Sequence, residues 1–144
     1  MRKTVLLLLI TFTAASSDAL AQCNTDNFTT ACIPKLATGF NFLKSYKIDG
    51  DGGAKEKVEY SYVFTKGTQY MINICADGTA TDGIIVSLFD SSRNRVASNK
   101  IDNQVVSAIA YPCNATGIYY IQYTFDKSAA YCGGSALGFK RGSL

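Results

Sequence analysis

The chain contains no histidine and no tryptophan, and only two of its 144 residues are proline. Without histidine, Ser-His-Asp and Cys-His catalytic sites are excluded. The five cysteines form no Cys-x-x-Cys pair, which excludes zinc and redox sites of that kind. Neither a Gly-x-Gly-x-x-Gly fingerprint nor a P-loop occurs. Charge of one sign is lacking too: 14 basic residues face 11 acidic ones, a balance that gives no electrostatic case for nucleic acid. No apolar run is long enough to span a bilayer. What remains is a chain rich in small residues and in tyrosine and phenylalanine, nine and eight of each.

The N-terminus reads as an export signal. Arg2 and Lys3 precede an apolar run from Val5 to Ile10, and a small-residue region ends at Ala19-Leu20-Ala21. Cleavage is expected near Ala21, giving a periplasmic or secreted protein that begins at Gln22. Losing Arg2, Lys3 and Asp18 leaves 12 basic against 10 acidic residues. A lipoprotein signal is the rival reading because Cys23 lies close by, but Gln22 stands where a small residue is wanted. The rest is long enough for one domain with one core. Residues 22–53 form its N-terminal segment, with a short helix and a first strand, and residues 54–141 its β-sandwich body.

An exported chain meets oxidising conditions, so disulfides are expected. Cys23, Cys32, Cys75, Cys113 and Cys132 are odd in number, so at least one stays unpaired within the chain. Sequence leaves the pairing open. The preferred pairs are Cys23 with Cys32, stapling a poorly patterned segment, and Cys113 with Cys132, which bracket a strand. Each closure would contribute roughly 2–3 kcal/mol. Cys75 ends an apolar run and reads as a buried free thiol.

Along the chain, Thr25 or Asp26 caps a short helix that ends at Pro34 or Gly39. Residues 40–48 alternate, with Phe40, Phe42, Lys44 and Tyr46 on one face, as an edge strand blunted by lysines. Asp49-Gly50-Asp51-Gly52-Gly53 is a turn; a calcium loop would need an oxygen ligand at Gly53 and a glutamate at Tyr60. Val58, Tyr60, Tyr62 and Phe64 line one face of a clear strand. Strands follow at 70–76, 84–89, 95–98 and 105–111, with 84–89 apolar enough to be central. The strongest strand is 118–125, with Tyr119, Ile121, Tyr123 and Phe125 on one face. It follows a tight turn at Asn114–Gly117. The last, 131–140, is rich in glycine, which signals a bulge or a close backbone approach. This grammar predicts an all-β fold: one antiparallel β-sandwich, jelly-roll-like, with a short N-terminal helical segment.

Three stretches resemble the bacterial pre-peptidase C-terminal domain, a family of small sandwiches in secreted proteins. They are Tyr62-Val63-Phe64-Thr65-Lys66-Gly67-Thr68-Gln69-Tyr70, Val86-Ser87-Leu88-Phe89-Asp90-Ser91 and Ala115-Thr116-Gly117-Ile118-Tyr119-Tyr120-Ile121. The patterns at Gly39–Tyr46 and Tyr131–Lys140 are similar to those of small secreted bacterial proteins of unassigned function. The chain departs from the domain family in its cysteines, its extra N-terminal segment and the lack of a protease domain. The resemblance implies a jelly-roll-like fold and supplies no catalytic residue.

The carboxylate pairs Asp49/Asp51 and Asp77/Asp82 invite a glycosidase reading, but all four sit in glycine-rich turns, where solvated aspartate is ordinary. The sequons at Asn27 and Asn114 read as turn and cap residues. No enzyme activity, cofactor, metal or membrane span is expected. Two function classes follow. The first is an accessory sandwich that mediates protein or cell-surface contacts. The second is a carbohydrate-binding module stacking sugars on Tyr60, Tyr62, Tyr119, Tyr120 and Tyr123, with calcium as a potential aid. An exposed row of tyrosines would favour the second, and a flat apolar patch the first.

Overall fold

The computed structural model describes residues 22–78 and 81–142. The expected export signal at 1–21 and the tail after Gly142 lie outside the described residues. The described residues form one α-helix, α1 (Thr25–Cys32), and ten strands: β1 (Asn41–Asp49), β2 (Lys57–Phe64), β3 (Thr68–Ala76), β4 (Ile84–Phe89), β5 (Arg95–Ser98), β6 (Lys100–Ile101), β7 (Gln104–Val105), β8 (Ala108–Pro112), β9 (Gly117–Phe125) and β10 (Cys132–Arg141). All pairing is antiparallel. One four-stranded sheet runs β1-β10-β3-β8, the other β2-β9-β4-β5, and β6-β7 is a small hairpin.

Period-two patterning builds the core. Tyr46, Ile48, Ile72, Ile74, Ile109 and Leu137 from the first sheet meet Phe64, Ile84, Val86, Leu88, Ile121 and Tyr123 from the second in one buried cluster. β4 is an interior strand, buried along almost its whole length. Burying each of these large side chains contributes roughly 1.5–3 kcal/mol.

Two strands depart from the expected pattern. In β1 the register shifts between Phe42 and Lys44. Beyond that bulge Tyr46 and Ile48 turn inward, while Phe42 is left 44% exposed. The single strand expected at 105–111 is broken into β7 and β8. Asn99 explains the break. Its buried side chain accepts from the Val86 N–H at 2.8 Å and donates to the carbonyls of Ile84 and Val106. These bonds tie the chain to the second sheet before it crosses to the first.

Helix α1 lies on the outer face of the first sheet, where β10 offers Gly134, Ala136 and Gly138. A Cβ at Gly134 would stand 2.7 Å from the Phe28 carbonyl carbon, so only glycine lets the helix backbone settle this close. Asn73, on β3 beneath the helix, donates to the Cys32 carbonyl at 2.8 Å and accepts from the Ala136 N–H at 2.9 Å. It thereby satisfies one of the orphan carbonyls of the helix end.

The disulfides correct the expected pairing. Cys23 bonds Cys132, with Cα atoms 5.5 Å apart, and Cys32 bonds Cys75, at 5.7 Å. Cys113 is the buried free thiol, not Cys75. The reasons are geometric. Once α1 forms, its first residue, Thr25, stands about 10 Å along the axis from Cys32, which carries the preceding Cys23 away from Cys32 and beyond the roughly 4.4–6.8 Å a disulfide needs. Cys113 and Cys132 lie at opposite ends of β9, about 30 Å of strand apart. Cys75 falls out of phase with the inward-facing Ile72 and Ile74, so it points at the helix.

Candidate docking groove

β1 and β2 end their respective sheets, and their edges flank a seam along one side of the sandwich. At one end the seam is closed. The Tyr60 hydroxyl donates to the Lys47 carbonyl at 2.6 Å, and the Tyr46 and Tyr60 rings lie 4.7 Å apart. At the other end it opens into two hollows that meet at Tyr62 and Val63. The larger, about 560 Å³, has Leu43, Tyr62, Tyr70 and Phe139 among its walls. The smaller, about 410 Å³, lies among Ser61, Tyr62, Val63 and Ile118. Val63 and Ile118 are cross-strand partners on the outer face and are 57% and 48% exposed.

The turn between β2 and β3 supplies the charge. Thr65 N–H donates to the Tyr70 hydroxyl, and the Gly142 N–H donates to the Gly67 carbonyl at 3.0 Å. The second bond draws the end of β10 to the turn, so Lys66 and Arg141 border the same hollow. Gly67 takes φ 85°, a value that suits glycine. Neither hollow is lined by an aspartate or glutamate. Among the described residues the ion pairs are Lys47–Asp26, Arg93–Glu59 and Lys100–Asp126, and none involves Lys66 or Arg141. The opening therefore combines apolar walls with two cations that lack an ion-pair partner among the described residues.

Of the five tyrosines expected as sugar contacts, one faces this opening. Tyr119 is 3% exposed and donates to the Ala115 carbonyl at 2.7 Å; Tyr123 is fully buried and donates to Ser135 Oγ at 2.8 Å. Burial raises both phenols above their ordinary pKa. Tyr60 is spent closing the seam. The Arg93 guanidinium covers Tyr120 at 3.6 Å from the ring centre and pairs with Glu59 at 2.9 and 3.0 Å. Of the five, Tyr62 alone lines the hollows, so the expected tyrosine row does not form. The parity of β9 already put Tyr119 and Tyr123 on its inward face. Strand parity put Val63 and Ile118 on outward faces, but nothing in the sequence showed that the outer face of the second sheet stays uncovered there.

Three of the four turn carboxylates accept hydrogen bonds from turn and loop groups. Asp49 Oδ1 accepts from the Asp51 N–H at 2.9 Å, and Asp77 Oδ1 from the Gly78 N–H at 3.1 Å. Asp82 accepts from the Ser128 hydroxyl at 2.7 Å and from the N–H groups of Ala129 and Ala130 at 3.0 and 2.9 Å. Partial burial pushes its pKa up, but these three donors outweigh that and hold it below the ordinary value. Among the described residues, no three His, Cys, Asp or Glu side chains gather as a metal site, and no helix is long and apolar enough to cross a membrane.

No family model matches the chain, and no curated protein matches it in sequence. Among solved structures it is similar to the crystal structure of Aeromonas hydrophila PliG, a periplasmic lysozyme inhibitor of g-type lysozyme. The identity is 15% and the TM-score 0.46, over 73% of this chain and 91% of that one. At that level neither the partner nor the residues of that protein transfer to this chain.

Proposed function

We propose that this protein is an exported, non-catalytic accessory β-sandwich that binds a protein partner through the open end of the β1–β2 seam. One observation carries the reading: an exposed apolar pair, Val63 and Ile118, adjoins a hollow bordered by Lys66 and Arg141 and lined by no acidic residue. Apolar surface rimmed by unneutralised charge suits a protein interface, where burial supplies affinity and charge supplies orientation. The two disulfides support export, because such bonds persist in oxidising compartments. The glycan alternative loses ground, since a sugar-stacking platform needs several open aromatic faces and the hollows offer Tyr62 and Phe139, with Tyr70 almost wholly buried. The likeness to the pre-peptidase C-terminal domain stays a resemblance of motifs, compatible with an accessory role.

Site-specific photo-cross-linking tests the reading. A benzoylphenylalanine at position 63 in the native host should give a discrete, protease-sensitive adduct. The same probe at Ala110, exposed on β8, should not. Equal labelling from both positions, or an adduct that resists protease and yields to glycosidase, would overturn it.

A further inference from the structure

We infer that the partner is recognised as an added β-strand: an extended segment with alternating apolar side chains and a leading carboxylate, laid antiparallel along the free edge of β2. This rests on the docking reading above and specifies it.

The four sheet-ending strands are not equally protected. β1 carries a bulge and two lysines, Lys44 and Lys47. β8 is five residues long and contains Pro112, and β5 is four residues long. Bulges, lysines, prolines and shortness are the devices that stop edges from pairing. β2 has only two charges, Lys57 at its start and Glu59, whose carboxylate is drawn onto Arg93 and Gln122. It is eight residues long, and its register with β9 is unbroken from Lys57 to Phe64. Among the described residues, no backbone hydrogen bond reaches β2 from its far side. Alternate N–H and C=O groups of such a strand face outward and can extend the ladder.

The two hollows lie where an added strand needs them. They meet at Tyr62 and Val63, neighbouring residues whose side chains point to opposite faces of β2. An added strand likewise sends successive side chains to opposite faces, so its alternate residues would enter the two hollows in turn. Strand addition of this kind takes affinity from the main chain and specificity from pockets for alternate side chains. Lys66 and Arg141 stand at the C-terminal end of β2. In an antiparallel addition they meet the N-terminal end of the incoming segment, which is why the carboxylate leads.

The probe is the peptide acetyl-Asp-Val-Thr-Val-Thr-Val-amide, titrated onto the oxidised protein by isothermal calorimetry. Two N-methylated analogues block alternate amides, one set in each phase. Strand addition predicts that one phase costs about tenfold or more in affinity and the other little, since only one set of amides faces β2. Replacing Asp by Lys in the peptide should abolish binding, and the Lys66→Glu/Arg141→Glu double variant should restore it. If neither methylation matters, strand addition is wrong while docking in the groove stands. If no peptide binds yet position 63 still cross-links to a protein, the inference fails and the docking reading survives. Concentration-dependent dimers that protect the β2 amides would overturn it in favour of a second copy. Binding of polygalacturonate in place of the peptide would overturn it in favour of a polyanionic glycan.

Discussion

Tyr46 holds a hydroxyl that is fully buried and makes no hydrogen bond to any described group. Burial comes first among the causes that raise its pKa, followed by the neighbouring Tyr62 and Tyr60 phenols. An unsatisfied buried hydroxyl costs about 1–3 kcal/mol. Tyr46→Phe should therefore raise stability by about 1 kcal/mol, read as a higher urea midpoint at unchanged slope. Tyr123→Phe should do the reverse, because it leaves Ser135 Oγ buried without its partner. A loss of stability in Tyr46→Phe would show that the phenol is satisfied in solution. The burial of Tyr123 was legible from the parity of β9; that of Tyr46 was not, because parity grouped it with Phe42 and Lys44 and the bulge in β1 turned it inward. The lone hydroxyl was not, because it depends on what the facing sheet lacks at that point.

The turn at Thr81–Gly83 and the segment 126–131 lock together through Asp82. The lock works only with an ionised carboxylate, which accepts three hydrogen bonds at once. Because its pKa is lowered on folding, its stabilisation is fully present above the ordinary carboxylate value of 3.8 and is lost as pH falls through the lower folded value. Asp82→Asn should lower the melting temperature at neutral pH, and the gap to wild type should narrow below about pH 4. A gap that stays constant down to pH 2 would contradict this. The sequence marked this loop as polar and turn-forming, and β4, β5 and β9 emerged close to their expected limits. The link from Asp82 to Ala129 was not legible, since it joins residues 47 apart. β1 was misread in phase because a bulge leaves no mark in composition.

The disulfides staple the N-terminal segment to the sandwich rather than to itself. Their separations of 109 and 43 residues correspond, in the chain-entropy model, to about 5 and 4 kcal/mol. Both exceed what the expected local pairs would contribute. Cys32→Ala/Cys75→Ala should lower stability by roughly 3–4 kcal/mol and free α1 to exchange its amides, while the sandwich amides stay protected. Full retention of helix protection would show that the Gly134 groove holds α1 unaided. Peptide mapping of the oxidised protein should return the two pairs, with Cys113 alkylated only after unfolding.

The proposed function rests on the arrangement of the whole molecule. The fold class and the presence of disulfides could be read from residue types and spacing. The docking groove could not, since it arises only where two sheet edges part. Cross-linking from position 63 in the Lys66→Glu/Arg141→Glu background is the most direct test of it. The account predicts that the adduct seen with wild-type charges is lost, while folding and secretion are unchanged. An adduct of undiminished yield would show that the cations do not orient the partner, and the groove as described would not be the binding site.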